Sequence, residues 1–360
     1  MNDIYLLIPE KIAGEDNLAI ATVIETRGST PQKSGRSALF GSSGLIAGTI
    51  GGGILERKVQ QIANESSKTK ASGIYDFNLD YDISFKKDAI CGGQATVLVD
   101  ASPESHNIVF DQIKESLHNR IPGVLVTIIK GEKEAHVKIA RYWVTSLKEN
   151  DLPLQYSDLL AEDIKEMLSS SDPDDFIKHE LVSGKGENSV LALLEPLSPS
   201  AQLIIAGAGH IGRALAHLGK FLGFEVTVID DRTEFANKTN IPDADHLIVE
   251  DVGKALQTLR KIHDTYIVIV TRGHDDDAKA LRPCINSGAA YVGMIGSKSK
   301  IAKMHSYFVQ EGWATEEQWS AIHAPIGLDI NSKTVEEIAV SIAAELVLER
   351  NKRKSPGTGL

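Results

Sequence analysis

The sequence predicts an α/β protein, with a C-terminal Rossmann-like parallel sheet that has helices on both faces, preceded by an α+β domain. In the second half, apolar runs alternate with amphipathic stretches, as in parallel sheets whose strands are buried on both sides. In the first half, strands and helices follow one another without regular alternation. The 360-residue chain is long enough for two such domains, each with its own core.

The elements of the first half are predicted from the spacing of apolar residues. Strands are predicted over 18–26, 95–102, 123–131 and 190–197, and helices over 54–67 and 107–120. The acidic, serine-rich stretch 169–176 is predicted to be an exposed connection. Prolines and serines in 197–202 mark a boundary, so the expected domains are 1–197 and 201–354.

The second half carries the strands and the motif that define its fold. Strands are predicted at 203–207, 226–230, 246–251, 266–271 and 289–296. The final segment, 333–350, has helical spacing and a capping box of Thr334 with Glu337.

Residues 203–212, LIIAGAGHIG, form a dinucleotide-binding motif: an apolar strand followed by a glycine turn and a helix. Gly207 is expected to allow the tight turn, Gly209 the approach of backbone N–H groups and His210 to a pyrophosphate, and Gly212 close packing of the helix. The next strand ends on Asp230, a candidate acceptor for a ribose 2′-OH, which favours an NAD-like ligand. The adjacent Arg232 offers a partner for a 2′-phosphate instead. A glycine turn that only packs the helix is the alternative.

A second glycine-rich segment, 41–53, leads directly into a predicted helix. Gly51, Gly52 and Gly53 are candidates for an anion cradle of backbone N–H groups. The segment is not a P-loop, because no GK[ST] follows. Upstream donors expected to complete a phosphate or pterin site are Arg27, Ser29, Thr30, Lys33 and Arg36. A hairpin with solvated basic residues is the competing interpretation.

Cys91 is flanked by Gly92 and Gly93, which leave its sulfur accessible to a metal or a substrate. The alternative is a small buried hydrophobic residue.

Loops after the later strands are expected to line the ligand crevice of the parallel sheet. Arg272, His274 and Asp275 follow one strand, and Ser297 with Lys298 follows the next. His274 has the chemistry of a proton acceptor or a metal ligand. Helix capping by the aspartates and by Ser297 is the competing account. The last loop, 323–330, carries His323 and either closes this crevice or is merely polar.

Composition excludes several classes of function. A formal net charge of −11 argues against binding to nucleic acid or to anionic membranes, which depends on clustered Lys and Arg. No apolar run is long enough to span a bilayer, and no secretory signal is visible at the start. The two cysteines, Cys91 and Cys284, form no CxxC pair, so a reducing cytoplasmic environment is expected.

Several motifs in the same order resemble one family, the XdhC/CoxI proteins, which are accessory factors of xanthine dehydrogenase and related molybdenum hydroxylases. The motifs are RGSTPQKSG, GTIGGGILE, CGGQ, GAGHIGRAL, VTRGHDDD, MIGSKSK and PIGLDINSKTVEEIAVSI, and the likeness extends from about Leu18 to Arg350.

The resemblance implies a chaperone of molybdenum cofactor rather than an ordinary catalyst. Such a protein is expected to hold the cofactor during its sulfuration by a cysteine-desulfurase-type partner and to pass it to an apo-molybdoenzyme of the xanthine dehydrogenase type. It further implies that the glycine loop cradles the phosphate, that Cys91 contacts molybdenum or a transferable sulfur, and that the Rossmann crevice holds the phosphate or nucleotide portion. We also expect a homodimer.

Two other functions remain open from the sequence. An NAD-dependent oxidoreductase is favoured by the motif around Gly209 together with Asp230. A metal- or thiol-dependent hydrolase using Cys91 and His274 has less support.

Overall fold

The computed structural model describes residues 3–14, 17–30, 32–79, 93–131, 136–170, 176–181 and 190–354. The chain divides into two compact units, Met1–Pro199 and Ser200–Leu360. The α/β class predicted from the sequence is confirmed, with antiparallel sheets in the N-terminal unit and a parallel sheet in the C-terminal unit. In the described part of the chain, no helix combines the length and apolarity needed to cross a membrane.

The N-terminal unit has two antiparallel sheets, in the orders β3-β2-β1-β5-β4 and β7-β6-β9-β8. Its elements are α1 (Asp3–Ile12), β1 (Ala19–Gly28), β2 (Ser37–Gly41), β3 (Gly44–Gly48), α2 (Gly53–Thr69), β4 (Gly73–Asn78), β5 (Gly93–Asp100), α3 (Asn107–His118), β6 (Gly123–Lys130), β7 (Lys138–Val144), α4 (Leu154–Ser169), β8 (Ile177–Leu181) and β9 (Val190–Leu197).

The central strands of these sheets are buried on both faces, which explains why β1, β5 and β6 are largely apolar. Ala21 and Val23 of β1 pack toward α2, whereas Ile24 packs with Leu193 of β9 in the other sheet. On β6, Val126 and its same-face neighbours pack against α4. Alternating side chains of one strand therefore serve two different cores.

A buried ion pair connects the two sheets of this unit. Arg141 on β7 donates to the carboxylate of Asp100 on β5, and both side chains are almost fully buried. Burial favours the neutral acid, but the charge and hydrogen bond of Arg141 outweigh it, so the pKa of Asp100 lies below its usual value.

A second polar contact joins α1 to β9 and includes a carboxyl group whose pKa is raised. The Tyr5 hydroxyl donates to Glu195 Oε2 at 2.6 Å. Burial raises the pKa of the Glu195 carboxyl to about 7. The folded unit therefore favours the protonated form of this side chain.

The C-terminal unit is a parallel sheet in the order β12-β11-β10-β13-β14. Its elements are β10 (Gln202–Ala206), α5 (His210–Phe221), β11 (Glu225–Asp230), β12 (His246–Val249), α6 (Val252–Thr258), β13 (Thr265–Ile269), α7 (His274–Leu281), β14 (Tyr291–Met294), α8 (Lys298–Gln310), α9 (Glu316–Ser320) and α10 (Val335–Lys354).

The strand order reverses between β10 and β13, because the chain leaves β10 toward β11 and β12 and then returns to its other side. The carboxyl ends of β10 and β13 therefore flank a crevice, the usual ligand position in such sheets. The predicted capping box of α10 is confirmed: Glu337 N donates to Thr334 Oγ1 at 3.2 Å, and Thr334 N donates to Glu337 Oε2 at 3.0 Å.

The geometry of the glycine turn between β10 and α5 predicts that two matched substitutions differ in their effect on stability. A Cβ on Gly212 would lie 1.9 Å from Gly207 O, whereas a Cβ on Gly209 would meet no atom within 4 Å. We expect Gly212→Ala to lower the free energy of unfolding by about 1–3 kcal/mol through backbone displacement. Gly209→Ala should change it by less than about 1 kcal/mol, the range for a changed helix N-cap. Urea unfolding measures both, and equal effects would contradict the packing described.

The raised pKa of Glu195 predicts that removing its charge increases the free energy of unfolding in a pH-dependent way. Because its folded pKa is raised, its stabilising contribution is complete below the unfolded value of about 4.3 and is lost as the pH rises toward 7. Glu195→Gln should therefore raise the free energy of unfolding by roughly 1–2 kcal/mol at pH 8 and by much less at pH 5. Urea titrations at the two pH values measure this, with the exposed Glu162→Gln as control. A Glu195→Gln protein that is less stable at pH 8 would refute it.

Candidate functional site

The glycine turn of the C-terminal unit contains two glycines required by packing and one that is not. Gly207 has φ +119°, and a Cβ there would lie 2.5 Å from Val270 O. Gly212 lies against Gly207 O, as described above. Gly209 has ordinary extended geometry (φ −71°) and open space in front of it. The protein's own packing therefore does not require Gly209, whereas close approach of a ligand would.

The turn is followed by the N-terminus of α5. His210, the first residue of this helix, is exposed. Backbone N–H groups at this end lack partners within the helix and favour an anion. Gly209 and His210, both candidates from the sequence, therefore lie together at the N-terminus of α5.

Asp230, at the end of β11, holds the glycine turn instead of presenting a free carboxylate. Its Oδ2 accepts from Ala208 N at 2.8 Å and from Arg232 Nη2 at 2.8 Å. Its Oδ1 accepts from Arg232 N at 3.1 Å and from Arg232 Nε at 2.8 Å. A carboxylate offers about four lone-pair positions, and these contacts use them all. Asp230 thus has no acceptor left for a ribose hydroxyl in this conformation.

The electrostatics of Asp230 agree with this geometry. Burial alone would raise the pKa of its carboxyl, but the hydrogen bonds from Arg232 and Ala208 outweigh burial and hold the pKa below its usual value. The sequence indicated both residues but not that they bind each other.

A chain of ion pairs continues from Arg232 across the crevice. Asp231 lies 3.9 Å from Arg232 Nε and 3.1 Å from Arg272 Nη2, and Arg272 Nε lies 3.5 Å from Asp276. Lys279 Nζ lies 3.6 Å from the same aspartate. The crevice between these side chains and Gly207 has room for about 20 Å³, roughly one water molecule. A ligand in this crevice must therefore displace exposed ion pairs, which are individually weak.

The loops after β13 and β14 are joined by a buried aspartate. Asp277 is fully buried and accepts hydrogen bonds from Thr271 Oγ1 (2.5 Å) and from Lys300 Nζ. Ser297 caps α8 by accepting from Lys300 N at 3.2 Å. His274 is the first residue of α7. Sequence reasoning named Ser297 and His274 but missed the ion pair of Asp277 with Lys300.

The last loop is fixed by a glutamate of α10. Glu345 accepts from the Tyr291 hydroxyl at 2.6 Å and from Gly327 N at 2.6 Å, and its Oε1 lies 3.0 Å from His323 Nδ1. Burial raises the pKa of Glu345, but the contacts with His323 and Tyr291 outweigh it and hold the pKa below its usual value. His323 is therefore held by a carboxylate and is not an isolated exposed residue. Nothing in the spacing of the sequence pairs these residues.

In the N-terminal unit, one edge of the first sheet gathers the predicted motifs. The strands β1, β3 and β4 run in the same direction, so their carboxyl ends lie at one edge. Arg27 pairs in register with Gln94, and a Cβ on Gly93 would lie 2.6 Å from Ser29 O. The segment from Arg27 to Ser29 is thus packed directly against the start of β5.

The individual donors at this edge differ in their availability. Arg27 is largely exposed and pairs with Glu25, Nη2 to Oε1 at 2.7 Å. Ser29 is exposed, and the Thr30 hydroxyl donates to Gln32 O at 2.9 Å. Arg27 and Ser29 are therefore accessible to a ligand, and Thr30 is engaged in the local turn.

The glycine loop after β3 binds a carboxylate of its own chain. Glu56 Oε2 accepts from Ile50 N and Gly52 N, both at 3.3 Å, and from Thr49 Oγ1 at 2.8 Å. Gly51, Gly52 and Gly53 all have positive φ, which turns the backbone donors inward. Of the three glycines predicted to form a cradle, only Gly52 donates its N–H to Glu56, while Gly51 N donates to Thr49 Oγ1 at 3.1 Å.

The two cysteines differ in what the structure describes. Cys91 lies outside the described residues. Cys284 is buried, its Sγ donates to Ala280 O at 3.2 Å, and burial raises the pKa of the thiol to about 12. Among the described ranges, no cluster of three or more His, Cys, Asp or Glu side chains has the geometry of a metal site.

Comparisons with known proteins match both units. A family model described as the XdhC Rossmann domain matches residues 203–346, and a model of the XdhC and CoxI family matches residues 12–78. A relative from Bacillus subtilis (strain 168), described as a probable subunit of xanthine dehydrogenase, is 24% identical over 354 residues, covering 98% of this chain and 99% of its own. An uncharacterised Escherichia coli (strain K12) protein, YqeB, is 32% identical over 173 residues, 48% of this chain and 31% of its own.

The fold also matches a solved structure. A crystal structure described as a xanthine dehydrogenase from Bacillus halodurans superposes with a TM-score of 0.76 over 98% of both chains, at 22% identity. That likeness concerns the fold. The ordered motifs on the two units and the two family models together identify the chain as a member of the XdhC and CoxI family.

Proposed function

We propose that this protein is an accessory factor that binds molybdenum cofactor and supports its sulfuration and its insertion into a xanthine dehydrogenase-type enzyme. Family membership and the xanthine dehydrogenase name of the Bacillus subtilis relative support the accessory role. The observation that carries the ligand is Gly209, whose missing side chain leaves space that no protein atom uses.

The residues at the two edges fit the chemistry of the cofactor, a pterin dithiolene that bears a phosphate. In the C-terminal unit, Gly209 and the N-terminus of α5 would receive a phosphate, and Arg272 lines the crevice that Gly207 also lines. In the N-terminal unit, the donors around Gly52 that bind Glu56 have the convergence an anion requires. Arg27 and Ser29 supply exposed donors for the pterin. Cys91 would supply a soft ligand for molybdenum or sulfur.

The main alternative, an NAD-dependent oxidoreductase, has weaker support from the site. NAD recognition at this fold depends on a carboxylate that accepts from the ribose, and all acceptor positions of Asp230 are used by Arg232 and Ala208. We therefore propose that the protein acts with two protein partners, an apo-molybdoenzyme and a cysteine-desulfurase-type protein, and not on the small-molecule substrate of an oxidoreductase. A homodimer in the cytoplasm remains part of this proposal.

Purification from a host that makes molybdenum cofactor tests this function. We expect bound pterin, measured by fluorescence after oxidation, and molybdenum, measured by elemental analysis, in comparable amounts. Gly209→Val should fold but retain about tenfold less pterin than the wild type, since its side chain fills the open space. Negligible pterin in the wild type, with tight NADH binding instead, would refute the proposal.

A second prediction concerns the two cysteines. Cys91→Ala should lower cofactor retention or its transfer to the apo-enzyme while the melting temperature stays unchanged. Cys284→Ala is the matched control and should leave transfer intact, because that thiol is buried and protonated. Equal transfer by the wild type and Cys91→Ala would assign Cys91 a structural role.

A further inference from the structure

One side of the C-terminal unit gathers most of its exposed large apolar side chains. Among the described residues of this unit, six such side chains are exposed, and four of them lie on or beside α10: Phe221, Ile330, Val340 and Leu348. Their exposed fractions lie between 41% and 83%. Single exposed apolar residues are normal on a protein surface, whereas a group of neighbours marks an interaction site.

Two hydrogen bonds show that these side chains are grouped around one helix. The loop before α10 is tied to the helix by Ser341 Oγ, which donates to Leu328 O at 2.6 Å. The C-terminal end of α5 is tied to the last turns of α10 by Arg350 Nη1, which donates to Leu222 O at 3.0 Å. The apolar group therefore extends along α10, from the preceding loop to the end of α5.

The helix α10 is apolar on two sides. Ile342 and Leu346 are fully buried in the core between α10, α5 and the sheet. The solvent side carries Val340, Ala344 and Leu348, which are spaced four residues apart and so form one ridge along the helix. A surface helix ordinarily turns charged and polar side chains to water. The exposed apolar ridge of α10 therefore requires another explanation.

Charges of opposite sign flank this ridge. Glu336, one turn before Val340, and Lys352, one turn after Leu348, are both exposed. Lys352 Nζ contacts Glu349 Oε1 at 2.6 Å, and the other two donors of an ammonium group remain for a second partner. The ridge is thus acidic, apolar, small, apolar and basic in chain order. This pattern is complementary to itself when one copy is reversed.

We propose that α10 forms the interface between two copies of this chain, related by a two-fold axis at Ala344. The helices pair in antiparallel orientation, so Val340 of each copy contacts Leu348 of the other, and Glu336 of each copy faces Lys352 of the other. Each patch meets the same patch of the second copy, as in an isologous interface, and the helix dipoles oppose each other. The small side chain of Ala344 permits close approach at the axis.

The interface deepens the homodimer that belongs to the proposed function, on which it rests for the number of copies. Its surface is assigned from the exposure and charge of α10 and requires no bound cofactor.

Sedimentation velocity of the full chain over a range of concentrations tests the interface. We expect a particle of twice the chain mass. Glu336→Lys and Lys352→Glu should each raise the dissociation constant at least about tenfold, because each substitution places like charges opposite one another at two symmetric positions. High salt should reduce this difference by screening the exposed charges.

A mixture of the two variants tests the antiparallel orientation. In a mixed pair of Glu336→Lys with Lys352→Glu, opposite charges face each other at both positions, so this heterodimer should form about as tightly as the wild-type dimer. The chain that carries both substitutions should also dimerise like the wild type, for the same reason. Parallel pairing would leave each single variant as tight as the wild type, since like charges would already face each other in the unsubstituted dimer.

Charge reversals on the other face of the sheet serve as controls. Lys303→Glu and Glu311→Lys lie in and directly after α8, which packs in the other core of this unit, and both side chains are exposed. These variants should dimerise like the wild type. Circular dichroism checks that every variant is folded.

Two results would overturn the proposal. A monomeric wild type would assign the apolar group to a different protein, and a dimer that is equally tight in both single variants would place the interface elsewhere. Bound pterin is measured separately, so the two proposals fail independently: a monomer that binds pterin refutes only the interface, and a dimer without pterin refutes only the cofactor-binding function.

Discussion

In the C-terminal unit, the arrangement at the carboxyl ends of the strands depends on the carboxylate of Asp230. Through Ala208 N it ties the glycine turn to the end of β11, and through Arg232 it fixes the first cation of the ion-pair chain. The turn in turn positions Gly212, and hence α5, against the sheet. An aspartate that a sequence motif assigns to ligand recognition here stabilises the protein's own turn. The same residue type can serve either purpose, since both require a buried carboxylate at the end of the second strand.

In both units, donors at or near the glycine-rich turn are bound by acidic side chains. In the N-terminal unit, Glu56 accepts from the loop donors, and in the C-terminal unit Asp231 and Asp276 bind Arg272. In both units, acidic side chains thus bind donors that the proposed function assigns to an external anion. Such contacts keep the donors oriented in the absence of a ligand. The exposed pairs of Arg272 with Asp231 and Asp276 are individually weak, so they cost little to exchange. Preorganised donors reduce the ordering cost of binding.

Sequence patterns predicted the fold well where one physical effect dominates. The strand β9 was predicted over its observed range, because its apolar run is bounded by a proline-rich connection, and the capping box of α10 was predicted because its spacing is fixed by helix geometry. The strands β2, β3, β4, β7 and β8 and the helices α1 and α4 were missed. They are short, polar on one face or half-buried, so burial in the folded unit rather than their local pattern determines them. The site followed the same division. Gly207 and Gly212 could be predicted because the turn constrains them locally, whereas the partners of Asp230, Glu56 and Glu345 lie in contacts that spacing does not encode.

The burial of Cys284 has a practical consequence for chemical labelling. A thiol whose pKa is about 12 and whose sulfur lies in the core reacts negligibly with maleimides at neutral pH. The chain has two cysteines, so a reagent added to the folded native protein reports on the other one alone. Any label that the folded protein takes up is therefore attached at the CGGQ motif, and the rate of attachment measures how open that position is.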